Sequence, residues 1–346
     1  MHKDKPFKLS RFFKYPISCI LCLSMLYSCS NDKPVPNTDH INADIQLLRF
    51  EQDFRSVNLE NWDESWANLE KKYPGFLSVY FSRIMADIPV PEDSIKSYAF
   101  EIAEQKFLNP LYDSVMLTFP DLMPYMDELE PAIKLYRHYT GDNQPKVLVS
   151  FISEFGVGAA TIGNDTLGIG LDMFMGTQFS AYDPNLFPAF ISRHMRPDKI
   201  VPNLVKAMGY DLVGEPSGIR MLDVMIQQGK VLYLMDLVLP ETPDSVKIDY
   251  TSEQWQWVED NETQIWSHFL SQELLYNTNR MDIQKLIGPS PNAPNMPAEA
   301  PGQTATWIGW QIIRRYMEKH PEITIPELMA DQDAQAILEK SKYRPR

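Results

Sequence analysis

Thiols are scarce in this chain and unevenly placed. Its 346 residues hold three cysteines, Cys19, Cys22 and Cys29, and the 317 residues after Cys29 hold none. Whatever folds downstream therefore has no disulfide, no thiolate metal ligand and no cysteine nucleophile. Histidine is nearly as thin. His2 and His40 lie near the start; none of His138, His194, His268 and His320 has a second histidine at the helical spacing of a zinc site, and no HExxH occurs. There is no GxSxG elbow and no GxxxxGK[ST] phosphate loop. Gly156, Gly158 and Gly163 miss the GxGxxG dinucleotide spacing and suit strands passing close to another backbone, or a bulge. Past the first 28 residues no apolar run approaches the roughly 20 residues that a membrane-spanning helix needs. Basic residues are outnumbered too, 32 against 46 acids, for a net charge of −14.

The opening residues explain where the thiols went. Lys3, Lys5, Lys8, Arg11 and Lys14 face a single acid, Asp4, and an apolar run over 17–27 follows with Ser18 and Ser24 as its polar members. A basic head, a short greasy middle and a small residue before the cut describe a secretory signal peptide, 1–28. Leu26-Tyr27-Ser28-Cys29 resembles the bacterial lipobox, in which the cysteine is acylated and becomes the first mature residue. Acyl chains hold at about 0.8 kcal/mol per buried methylene, and two or more give stable anchoring. Residues 29–41, polar and proline-containing, read as a flexible tether. The leader carries +4, so the remainder stands at about −18 against −14 for the whole chain. Such a surface repels nucleic acid and anionic headgroups, which leaves lipid on Cys29 as the membrane link and excludes a nucleic-acid partner. Ser30 after the cysteine points to outer-membrane sorting; the domain is expected to face the periplasm, with the outer surface as the alternative.

Residues 42–346 read as a single globular domain without internal repeats. A short strand is expected over 45–50. Trp62, Trp66, Leu69 and Tyr73 recur at helical spacing up to Pro74-Gly75, Phe76, Tyr80 and Ile84 repeat the pattern, and three more helices fill 93–139. "KVLVSFIS" (146–153), "GAATIG" (158–163) and "TLGIGLDMF" (166–174) are strand-like, with Asn164-Asp165 as a turn. Helices are then predicted over 198–210, 218–238, 252–275, 302–319 and 326–340. The second is apolar nearly all round and so central; Gly309 in the fourth allows a close neighbour. Residues 288–302 hold five prolines and form an irregular excursion, a candidate lid or docking surface. The fold class is α+β, predominantly helical, with a single small antiparallel or mixed sheet packed with helices.

Candidate chemistry is dispersed. Glu51 with Asp53, and Glu259 with Asp260 and Glu262, pair carboxylates that solvated faces also explain. His268 and Glu273 lie five apart, about 140° round a helix. A hydrolytic site would have to assemble from distant residues, for instance His194 or His268 with a carboxylate.

The blocks "RFEQDF" (49–54), "IGLDMFMG" (169–176), "MIQQGKVLYLMDLVLP" (225–240), "IWSHFLSQELLYNT" (265–278), "WIGWQIIRRYM" (307–317) and "SKYRP" (341–345) resemble the gliding motility lipoprotein GldB family of Bacteroidota. The resemblance implies an envelope lipoprotein used by a gliding apparatus linked to type IX secretion, working through contacts with other envelope proteins, and not an enzyme. It brings no catalytic residues, metal or cofactor; only Cys29 carries over as a functional position. The order of elements also resembles zincin metallopeptidases. The helix that would carry HExxH there, 198–209, has no histidine, and Gln228 stands where a glutamate ligand would, so this is at most a zincin-like scaffold without its metal. A peptide- or cell-wall-binding groove is the other alternative.

Overall fold

The computed structural model describes residues 34–86 and 88–345. The expected signal peptide, Cys29 and the first tether residues lie outside the described residues. Residues 34–45 hold no helix or strand, and the sheet begins directly after them.

Four strands form the sheet: β1 (Gln46–Arg49), β2 (Val147–Phe151), β3 (Ala159–Ile162) and β4 (Thr166–Gly170), in the order β1-β2-β4-β3. β1 and β4 flank β2 in parallel, with Leu48 beside Val149 and Val149 beside Gly168. β3 closes onto β4 antiparallel through the tight turn at Asn164-Asp165, entered by Gly163 at φ 61°. The sheet is therefore mixed. Its parallel pairs arise because a long helical crossover separates β1 from β2. β2 and β4 are covered on both faces: Leu148, Val149, Phe151, Leu167 and Ile169 are buried, which accounts for an unbroken apolar run where a half-exposed strand would alternate.

Helices before the sheet build an aromatic core. Phe50 is fully buried, with the rings of Tyr80, Phe76, Tyr73 and Phe54 centred 4.7 to 5.3 Å away. The expected apolar faces supply this core: Trp66, Leu69 and Tyr73 from helix Trp62–Lys72 and its end, then Phe76, Tyr80 and Phe81 from the next segment. Ile95–Glu104, Asn109–Thr118 and Met123–Thr140 are the three helices expected before the sheet.

After the sheet, helix Ile200–Val213 packs on β3, and helix Met221–Val238 lies at the centre, buried around most of its circumference. Against it runs Thr304–Lys319, from which Trp307, Ile308, Trp310, Ile312, Ile313 and Tyr316 are buried, more than the single face expected. The two helices meet at glycines. A Cβ on Gly309 would stand 2.0 Å from the Met225 carbonyl oxygen, and one on Gly229 would stand 2.3 Å from that of Gly309. The close neighbour expected at Gly309 is thus the central helix backbone.

Three boundaries differ from the sequence reading. The helix expected over 252–275 is two, Ser252–Asp260 and Glu262–Ser271, parted at Asn261, whose amide Nδ2 donates to the Trp257 carbonyl at 2.8 Å. The one expected over 326–340 is also two, Ile325–Ala330 and Ala334–Ser341, because Asp333 caps a new start through Ala336 N–H at 2.9 Å. Helix Arg280–Ile287 was not anticipated; Asn279 caps it, accepting from Met281 N–H at 3.0 Å.

Candidate functional site

Beyond the ends of β2 and β4 the chain leaves the sheet, and this is where its least regular backbone lies. Glu154 and Phe155 both take left-handed angles, φ 52° and 66°. Buried Asp172, just past β4, holds that loop: its carboxylate accepts Ser153 N–H at 2.9 Å and Phe155 N–H at 2.6 Å. Burial pushes the Asp172 carboxyl up to about 6, and the amides of Phe155 and Ser153 restrain the rise. The Tyr182 hydroxyl donates to the Asp172 carbonyl at 2.7 Å and accepts from Met175 N–H at 3.0 Å. Phe155, Tyr182 and Phe187 pack ring to ring at 5.5 to 6.0 Å. These contacts fix the segment that crosses from β4 to helix Ile200–Val213.

That crossing delivers Arg193 and His194 to a cluster of charges around Asp249. Lys199, 4% exposed, donates from Nζ to Asp249 Oδ1 and to the Val246 carbonyl, each at 2.9 Å. Lys206, two turns further along on the same side of the helix, reaches Asp249 Oδ2 at 3.4 Å. Arg193 Nε donates to His194 Nε2 at 2.8 Å, so the ring proton is on Nδ1, which faces Asp249 Oδ1 at 3.6 Å. With Nε2 occupied, His194 has no lone pair left to take a substrate's proton. Burial, joined by the nearby cations and opposed by Asp249, lowers the His194 pKa to about 4. Burial also works against the Asp249 carboxylate, but Lys206 and Lys199 outweigh it and hold its pKa below the ordinary value. Burial opposes the Lys206 charge, yet Asp249 keeps its pKa raised.

The proline-rich excursion braces this cluster. Ala293 and Ala300 are buried and joined by an N–H to carbonyl bond of 2.8 Å. At its end the Gly302 carbonyl accepts from the Tyr250 hydroxyl at 2.7 Å, and Gln303 Nε2 donates to the Ile248 carbonyl at 2.8 Å. Both partners flank Asp249, itself left-handed at φ 66°.

The other candidates are engaged singly. Fully buried Glu51 accepts from Arg49 Nε at 2.5 Å and from the Ser150 hydroxyl at 2.7 Å. Asp53 pairs with Lys72 and the Tyr73 hydroxyl at the rim of a polar cavity of about 420 Å³. Asp260 accepts from Gln256 at 3.0 Å and Glu262 from the Tyr343 hydroxyl at 2.6 Å, while burial raises the Glu259 pKa. His268 forms no ion pair among the described residues, so of the two histidines only His194 meets a carboxylate. Gln228 accepts from the Tyr210 hydroxyl at 2.5 Å, joining helices Met221–Val238 and Ile200–Val213. Among the described residues no three histidine, cysteine, aspartate or glutamate side chains group as a metal site, and no helix is long and apolar enough to cross a membrane. Sequence reasoning passed over Arg193, Lys199, Lys206 and Asp249. The available signal was two lysines within an otherwise apolar helix start, "KIVPNLVKAMG".

The family model for the gliding motility protein GldB matches residues 31–345. The chain belongs to the GldB family. Membership bears out the resemblance carried by the six sequence blocks, three of which fall on the central helix, its partner Thr304–Lys319 and the Asp172 turn. It supports a gliding motility lipoprotein role in the cell envelope. No curated protein and no solved structure matches the chain.

Proposed function

We propose that this GldB-family chain is an accessory lipoprotein of the gliding and secretion machinery, held in the outer membrane by acyl chains on Cys29 and facing the periplasm. Its single domain, 42–346, acts through contacts with other envelope proteins and not as a catalyst, with residues 29–41 as the tether. The observation that carries the reading is the family match across 31–345, joined to the lipobox-like Leu26-Tyr27-Ser28-Cys29. Growth of the native host with a clickable palmitate tests the anchor: label should reach the wild-type chain and not Cys29→Ser. Cross-linking in intact cells followed by detergent capture tests the contacts. Label on the serine variant would sink the anchor, and capture that never repeats the same partners would sink the role.

A further inference from the structure

The Asp249 cluster holds more positive charge than the protein neutralises. Lys199 and Lys206 bring two cations to one carboxylate, Arg193 adds a third across the His194 ring, and His194, with its nitrogen occupied by Arg193, stays neutral at pH 7. Arg196 and Asp198, at the adjoining turn, pair with each other and add nothing net. Two surplus charges remain, in a protein that is acidic overall.

Donors are also left over. Lys199 spends two of its three N–H groups on Asp249 and Val246, whereas Lys206 has a single long contact of 3.4 Å for its three. Arg193 uses only Nε; its two Nη groups make no hydrogen bond among the described residues. Both side chains are partly exposed, so a ligand from solvent can reach them. Asp249 cannot serve them better, since its oxygens already face Lys199 and Lys206 across a braced loop. An arginine fork and a lysine point charge in one cluster, with a surplus of two, match a tetrahedral dianion better than a single carboxylate.

We propose that Arg193 and Lys206, steadied by Lys199 and Asp249, form a binding site for a phosphate dianion, free or carried as a monoester on a headgroup or glycan. The site stands apart from the lipoprotein reading, and its failure leaves that reading untouched. The test uses the full-length protein in a neutral detergent, with thermal unfolding followed against inorganic phosphate, glycerol phosphate or acetate, each balanced with chloride to one ionic strength. Phosphate should raise the melting midpoint beyond chloride, as a ligand of the native state must. Arg193→Gln and Lys206→Gln should each weaken the response by about tenfold or more. Lys206→Arg, which keeps the charge, should retain it. Calorimetric titration at low temperature reads the same loss should either variant melt early. Tighter binding of glycerol phosphate than of inorganic phosphate assigns a carried group; the reverse assigns the free anion. A phosphate response equal to that of chloride or acetate, or one that persists in both glutamine variants, overturns the proposal.

Discussion

Replacing Gly309 by alanine should destabilise the domain, although the same change in an open helix would help it. Alanine is the better helix former by about 1 kcal/mol, so a helix free of neighbours gains from the substitution. Here the new methyl would lie 2.0 Å from the Met225 carbonyl oxygen, and the clash is with backbone, which cannot rotate away. Restoring a normal separation moves helix Thr304–Lys319 off Met221–Val238 by roughly an ångström, and a gap of that size already forfeits a quarter to a half of each dispersion contact. Trp310, Ile308, Ile312, Met225 and Ile226 all lie in the affected layer. Overpacking of this kind costs about 3 kcal/mol at the upper end, leaving a net loss of about 2 kcal/mol after the propensity gain. Urea unfolding of the purified mature protein measures it as a lower midpoint with unchanged slope. Gly229→Ala, with 2.3 Å to the Gly309 oxygen, should behave alike, and the double variant should lose less than the sum because one separation relieves both clashes. Gly209→Ala meets the Val231 side chain at 3.0 Å and otherwise makes ordinary contacts, with Leu234 at 3.5 Å and Val231 Cα at 3.6 Å, and should be near neutral. A higher midpoint for Gly309→Ala would refute the argument outright, since propensity would then have won.

Other perturbations follow from the buried charges. His194, lowered to about 4 from 6.5, contributes stability that is complete above pH 6.5 and lost as pH falls toward 4. Asp172, raised to about 6 from 3.8, runs the other way: its contribution is complete below 3.8 and lost as pH rises through 6. Each amounts to about 3 kcal/mol in full, so Asp172→Asn should steepen the loss of stability on acidification and His194→Gln should flatten it; urea midpoints of both variants running parallel to wild type would discard this. Lys230 is buried, its pKa lowered by burial to about 8 despite Asp331. Lys230→Met should therefore stabilise by about 1–2 kcal/mol at neutral pH, an advantage that narrows between pH 8 and 10.5, and a constant difference across that range would contradict it. Asp236 accepts from Trp310 Nε1 at 2.9 Å, Arg314 Nε at 2.8 Å and Lys247 at 3.2 Å. Asp236→Ala should cost about 3 kcal/mol in the same assay, because Arg314 and Lys247 keep only Asp244 and Trp310 Nε1 loses its acceptor, and a loss below about 1 kcal/mol would show that Asp244 and water replace it.

Legibility tracked the range of the interaction involved. Apolar periodicity in Trp66, Leu69 and Tyr73, or in Met221 to Tyr233, is local and announces a buried helix face directly. The turn at Asn164-Asp165 announces its hairpin for the same reason. The breaks at Asn261 and Asp331 to Asp333 were missed because their neighbours keep the helical pattern while a single side chain bonds to the backbone. The Asp249 cluster was out of reach for another reason. Arg193, Lys206 and Asp249 are brought together by the aromatic packing that steers residues 176–197 and by the bonds of Tyr250 and Gln303, none of which has a sequence period. The carboxylate pairs failed as a guide because adjacency in sequence sends side chains to different partners, as Glu51 and Asp53 show.

The parallel seam between β1 and β2 sets an order on assembly. Its first strand leaves the synthesis machinery early, yet the neighbour it hydrogen-bonds appears only after the whole helical excursion over 50–146 has followed. Loop-closure entropy of that length must be met before the seam rewards it, which slows folding relative to a helical bundle of equal size. In the interval the strand "QLLR" offers an open edge to any other chain nearby. That edge closes only when Val147 and its neighbours arrive to pair with it.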